Sequence, residues 1–98
     1  MKREDVLQKL REEQSRLRER FGVARLALFG SVARDEAGPE SDVDLLVEFN
    51  RPITLFDLVE VQQHLERCLG VRRVDLVPRD SLYPAFRDAI LREALNVG

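Results

Sequence analysis

Residues 42 to 49, "DVDLLVEF", alternate between the two sides of an extended chain. Val43, Leu45, Val47 and Phe49 fall on one side, and Asp42, Asp44, Leu46 and Glu48 on the other. The pattern predicts a strand with one face against a core. Side chains two apart in a strand point the same way, so Asp42 and Asp44 project together from its start. Adjacent negative charges repel, and the pair calls for something that offsets them.

What can offset them is bounded by the totals. With 98 residues the chain is the size of one domain with one core, and we expect residues 1–98 to form it. Hydrophobic residues make up 44% and charged residues 35%, with a net charge of -2, so the composition is globular without a general basic field. Arg16, Arg18 and Arg20 cluster only among glutamates, and no direct nucleic-acid contact is expected. The single cysteine excludes an internal disulfide, and no apolar run approaches the ~20 residues that span a bilayer. The charged N-terminus does not resemble a secretory signal. A cytoplasmic protein without membrane contact is the expectation.

Leu7, Leu10, Leu17 and Phe21 recur at helical spacing between Glu4 and Phe21, where Gly22 ends the run. These apolar side chains serve either a core or a docked partner. "VARLALF", Val23 to Phe29, reads as a buried strand, although the run alone fits a helix too. "GPES" at 38–41 is a turn. Thr54 with Asp57 forms a helix-starting cap, and a broad apolar face follows up to Gly70. His64 lies at the margin of that face and Cys68 within it; both are expected to be structural. "RRVDLVP", Arg72 to Pro78, gives a third strand, and Leu82, Phe86, Ile90 and Ala94 mark a closing helix over 81–95. The expected fold is α/β: a small mixed three-stranded sheet flanked by helices.

The crossover helix between the second and third strands can place them side by side. Asp75 interrupts the third strand as Asp44 interrupts the second, which makes it the natural third carboxylate. Hard oxygen ligands suit Mg²⁺ or Mn²⁺, and two such ions about 3.5–4 Å apart can hold the attacking and leaving oxygens of a phosphoryl or nucleotidyl transfer. Gly30 and Ser31 stand where the first strand ends. A glycine there lets the backbone approach a ligand, and a serine hydroxyl with neighbouring amides can bind phosphate oxygens. Arg34, three residues on, can reach the same phosphate. Either motif alone is more often a plain turn or a solvated cap; both together with Asp75 point to one site.

"GS" at 30–31, ten intervening residues, "DVD" at 42–44 and then "LLV" resemble the nucleotidyltransferase core of the polymerase beta-like superfamily, and its minimal nucleotidyltransferases in particular. The resemblance spans nearly the whole chain, with Arg34, Ser41 and Asp75 included. It implies that Gly30, Ser31, Arg34 and Ser41 bind the triphosphate of ATP. It also implies that Asp42, Asp44 and Asp75 are catalytic and carry the metal, two Mg²⁺ ions or Mn²⁺ in their place. Asp35 departs from the pattern: many relatives have glycine there, and the carboxylate adds negative charge near the phosphate loop. The chain is also similar to the antitoxin halves of two-gene modules paired with HEPN-domain toxins. That likeness implies transfer of AMP from ATP to a tyrosine hydroxyl of the toxin.

Two other functions fit parts of the pattern. A non-catalytic module could neutralise such a partner by occlusion, but it has no need of clustered carboxylates. A free-standing transferase acting on a small molecule or an RNA end would need an acceptor-binding region for which this chain has little room.

Overall fold

The computed structural model describes residues 2–38 and 41–97. In chain order the elements are α1 (Arg3–Phe21), β1 (Val23–Phe29), α2 (Gly30–Ala33), β2 (Val43–Phe49), α3 (Leu55–Leu69), β3 (Val74–Pro78), α4 (Pro84–Glu93) and β4 (Leu95–Asn96). They form a mixed four-stranded sheet in the order β3-β2-β1-β4. β2 runs antiparallel to β1 and parallel to β3, while β4 lies antiparallel on the other edge of β1.

Local chemistry explains most boundaries. Gly22 takes a left-handed conformation, φ 72°, and its N–H closes the last turn of α1 onto the carbonyls of Arg18 and Leu17. Thr54 and Asp57 form a reciprocal capping box at the start of α3, and Gly70 ends that helix at φ 65°. The N-terminus of α1 is capped from a distance: the Asp35 carboxylate accepts the Arg3 N–H at 3.1 Å.

One face of the sheet packs into the main core. Leu26 and Leu28 of β1, Val43, Leu45 and Val47 of β2, and Val74 and Leu76 of β3 are buried there. α1 adds Val6, Leu7, Leu10, Leu17 and Phe21, and α3 adds Val61, Leu65 and Leu69 to the same cluster. The apolar side of α1 is therefore core, not a docking face. A polar tie fastens the two helices: His64 Nε2 lies 3.2 Å from Glu13 Oε2 and 3.4 Å from Cys68 Sγ, with its ring tilted against Phe21. His64 is buried and Cys68 partly so.

Three expectations need correction. The sheet has four strands, because Ala94 turns extended and delivers Leu95 and Asn96 to pair with Leu28 and Ala27. The closing helix runs from Pro84 to Glu93, so Leu82 precedes it and Ala94 follows it. A proline fits a first helical position, and a short 3-10 turn, Arg79–Ser81, leads in. Its expected apolar face is unburied: no α4 residue is fully buried, and Phe86 is 62% exposed. β3 begins at Val74, two residues later than expected. The turn at 38–41 includes Pro39 and Glu40, which lie outside the described residues; at its ends the Ser41 hydroxyl accepts the Gly38 N–H at 2.9 Å.

These burial differences predict unequal costs. Leu45→Ala should lower unfolding free energy by about 3 kcal/mol, whereas Phe86→Ala should stay within about 0.5 kcal/mol of wild type, both read from urea unfolding.

Candidate active site

Register brings the carboxylates together. In the parallel pair Asp44 faces Asp75, and on its other side Asp44 faces Phe29. The neighbouring triplet Leu28, Leu45 and Leu76 occupies the core face, so Asp44 and Asp75 project from the opposite face. Asp42 stands two residues before Asp44, just ahead of β2, with Arg73 Nε at 4.0 Å from its carboxylate. Asp42 and Asp44 are half-buried and Asp75 is exposed.

The charges are poorly compensated. Asp44 is pushed up to about 6, first by partial burial and then by the negative charges of Asp75 and Asp42. Arg34 opposes the rise, which puts a cation within electrostatic reach. Oxygen donors with this shared excess of negative charge fit a divalent cation.

Gly30 follows Phe29 directly and adopts φ 76°. A methyl group on it would collide with the Asp44 carboxylate, so glycine is required twice: for the left-handed backbone and for the close approach. Ser31 follows in the single turn of α2, half-buried, and Arg34 closes that turn. Gly30, Ser31, Arg34 and Asp44 therefore meet at the end of β1. The Ser41 hydroxyl is engaged by the Gly38 amide in the turn that leads into β2.

Two residues gain meaning only from the structure. Asp35 has φ 56°, a conformation natural to glycine and tolerated by aspartate. Its carboxylate turns to α1, accepting the Arg3 N–H and lying 3.6 Å from the Arg3 guanidinium, so its charge is neutralised by that arginine. Glu93, at the end of α4, accepts the Gly30 N–H at 2.9 Å through Oε1 and Arg34 Nη1 at 2.8 Å through Oε2. Its carboxyl is held below the ordinary range, chiefly by the Gly30 N–H and next by Arg34. No sequence signal marked it, since 63 residues separate it from its glycine partner.

The chain has counterparts among known proteins. Residues 7–97 match the nucleotidyltransferase domain family. The chain belongs to that family. It is 42% identical over 94 residues to a protein adenylyltransferase, MntA, of Thermococcus cleftensis, covering 96% of this chain and 94% of that protein. A candidate protein adenylyltransferase of Methanocaldococcus jannaschii is 44% identical over 78 residues, covering 80% of this chain and 83% of that one. Among solved structures, a candidate minimal nucleotidyltransferase superposes with a TM-score of 0.79 at 45% identity, covering 97% of this chain and 95% of that chain. A toxin-antitoxin structure with AMP-PNP shares the fold at a TM-score of 0.70 and 19% identity, over all of this chain and 73% of that one. This nucleotidyltransferase contains no described helix long and apolar enough to cross a membrane.

The raised Asp44 value fixes a pH dependence. A carboxyl with its folded pKa above the ordinary 3.8 binds extra proton in the native state, so its favourable contribution is present at low pH and lost as pH rises through about 6. Glu93, lowered, acts the opposite way and below that window. With chelator present, the melting temperature should fall between pH 5 and pH 7, and Asp44→Asn should flatten the fall.

Proposed function

We propose that this nucleotidyltransferase transfers AMP from ATP to a hydroxyl of a partner protein, a tyrosine of a HEPN-type toxin, and so acts as its antitoxin. The observation that carries the chemistry is the Asp44 and Asp75 pairing in adjacent parallel strands, with Gly30 against Asp44. The protein acceptor is supported by the name of the Thermococcus relative, and the toxin by the toxin-antitoxin structure that shares the fold. Residues 1–98 serve as one domain, acting in the cytoplasm where ATP is available.

In this reading Asp42, Asp44 and Asp75 hold Mg²⁺, as two ions, with Mn²⁺ able to replace it. Bound there, the metal supplies Lewis acidity toward the phosphate oxygens and lowers the pKa of the acceptor hydroxyl. Gly30 lets the backbone come close to the nucleotide, while Ser31, Arg34 and Ser41 donate hydrogen bonds to its triphosphate. The acceptor oxygen attacks the α-phosphorus in line, forming a new P–O bond as the bond to the bridging oxygen breaks and pyrophosphate leaves. Asp75, the most exposed of the three aspartates, takes the hydroxyl proton, because a bulky protein acceptor needs an accessible base.

Neutralisation by occlusion alone is the second reading. It is favoured by the exposed apolar side chains Leu55, Phe56, Tyr83 and Phe86, which suit a protein contact. Both readings keep the partner; they differ in whether it is modified.

Purified chain with α-labelled ATP and Mg²⁺ should label the toxin partner, and chelator or Asp42→Ala/Asp44→Ala should abolish the label. A stable complex without label would leave occlusion standing and remove the transferase reading of the partner. Gly30→Ala should cut labelling about a hundredfold, the scale of a displaced catalytic group.

A further inference from the structure

The Glu93 carboxylate joins two groups that the proposed function assigns to the donor nucleotide, and the inference below rests on that reading. One oxygen holds the Gly30 amide and the other holds Arg34, so the side chain spans both ends of the four-residue α2. A single helical turn is marginal by itself. Arg34 is also held by Glu36, whose carboxylate accepts its Nε at 3.1 Å. An arginine fork carries five donors, so these two bonds do not exhaust it. α4 gives the core no fully buried side chain, and at this end its attachment to the body of the protein is polar.

The alternative partners of Arg34 explain why such a hold matters. Asp44 lies within its electrostatic reach and shares excess negative charge with Asp75 and Asp42. A mobile guanidinium would be drawn to those carboxylates, and a paired arginine would compete both with a cation for their oxygens and with a phosphate for its own donors. Glu93 and Glu36 supply closer acceptors and hold the fork away from them.

We propose that Glu93 is a positioning residue for the donor nucleotide: its carboxylate fixes the Gly30-Ser31 turn and Arg34 relative to one another and keeps Arg34 off the aspartates before ATP arrives. The opposite role, a built-in anion that occupies the phosphate donors and must be displaced, uses the same contacts but reverses the sign of the effect on binding. Preorganisation is the stronger reading because Glu93 engages the Gly30 amide and leaves Ser31 and the rest of the arginine fork to the triphosphate.

The experiment is equilibrium binding of a non-hydrolysable ATP analogue with Mg²⁺ to wild type, Glu93→Ala, Glu93→Gln, Arg34→Ala and the double variant Glu93→Ala/Arg34→Ala. Glu93→Ala should weaken binding about tenfold, the scale of one charge-assisted hydrogen bond. Glu93→Gln, which keeps an acceptor for Gly30 but not the charge facing Arg34, should fall between. In the Arg34→Ala background the Glu93→Ala loss should shrink well below its value in wild type, since a residue acting through another is not additive with it. In turnover, the loss should appear in KM for ATP with kcat retained. Glu93 is 29% exposed, and melting curves should find both Glu93 variants folded; the Gln variant carries the test if the Ala variant is not. Wild-type affinity or tighter in a folded Glu93 variant would overturn the proposal and favour the displaced-anion role. Failure of wild type itself to bind the analogue would sink the donor-site reading beneath it.

Discussion

β2 is bonded on both edges, and its register decides where every charge in the site stands. Val43, Leu45 and Val47 must face the helices, because α1 and α3 close a core that is otherwise open to water. A slip of one residue would turn Asp44 into the core and expose the apolar triplet. With the register held by that core, Asp44 has one possible side, Asp75 meets it through the parallel pairing, and Phe29 on the antiparallel side ends β1 beside it. Gly30 follows from the same fact. The residue after Phe29 turns the chain directly over a carboxylate, where no Cβ fits.

Charge is sorted around that turn largely by contacts distant in sequence. Arg34 lies within electrostatic reach of Asp44, and Glu36 and Glu93 hold its guanidinium by hydrogen bonds. Asp35, one residue along, sends its charge the other way, to the first turn of α1, where a helix N-terminus and Arg3 both favour an anion. The Asp35 carboxylate thus adds a tertiary cap to α1. The raised Asp44 value comes from partial burial and the charges of Asp75 and Asp42, with Arg34 opposing them.

Much of this was legible in the residues. Period-two alternation exposed β2 and its aspartates, Gly22 and Gly70 marked helix ends, and Thr54 with Asp57 announced α3, because each depends on neighbours in sequence. α4 misled for a physical reason: its four-residue apolar spacing is a helical pattern, but a pattern does not reveal whether a partner surface exists. Phe86 is in a helix and still faces solvent. β4 is two residues long, too short for any periodicity, and owes its extended form to pairing with Leu28 and Ala27. Glu93 was invisible because its partners, Gly30 and Arg34, sit at the other end of the chain.

The two faces of the sheet carry opposite obligations, and this division permits the charge repulsion at the site. On the helix side the large apolar residues of β1, β2 and β3 are buried except Phe49, which is partly so, and the one buried polar side chain among the described residues, His64, has partners in Glu13 and Cys68. Stability is concentrated there. On the other side the protein keeps three neighbouring carboxylates, whose mutual repulsion is unfavourable in a resting fold. Such a cost is tolerable because β2 belongs to both faces: the apolar residues that anchor it alternate with the acids they hold in place. Softening the core at Leu45 would therefore loosen Asp44 as well, so in this chain stability and chemistry cannot be tuned independently.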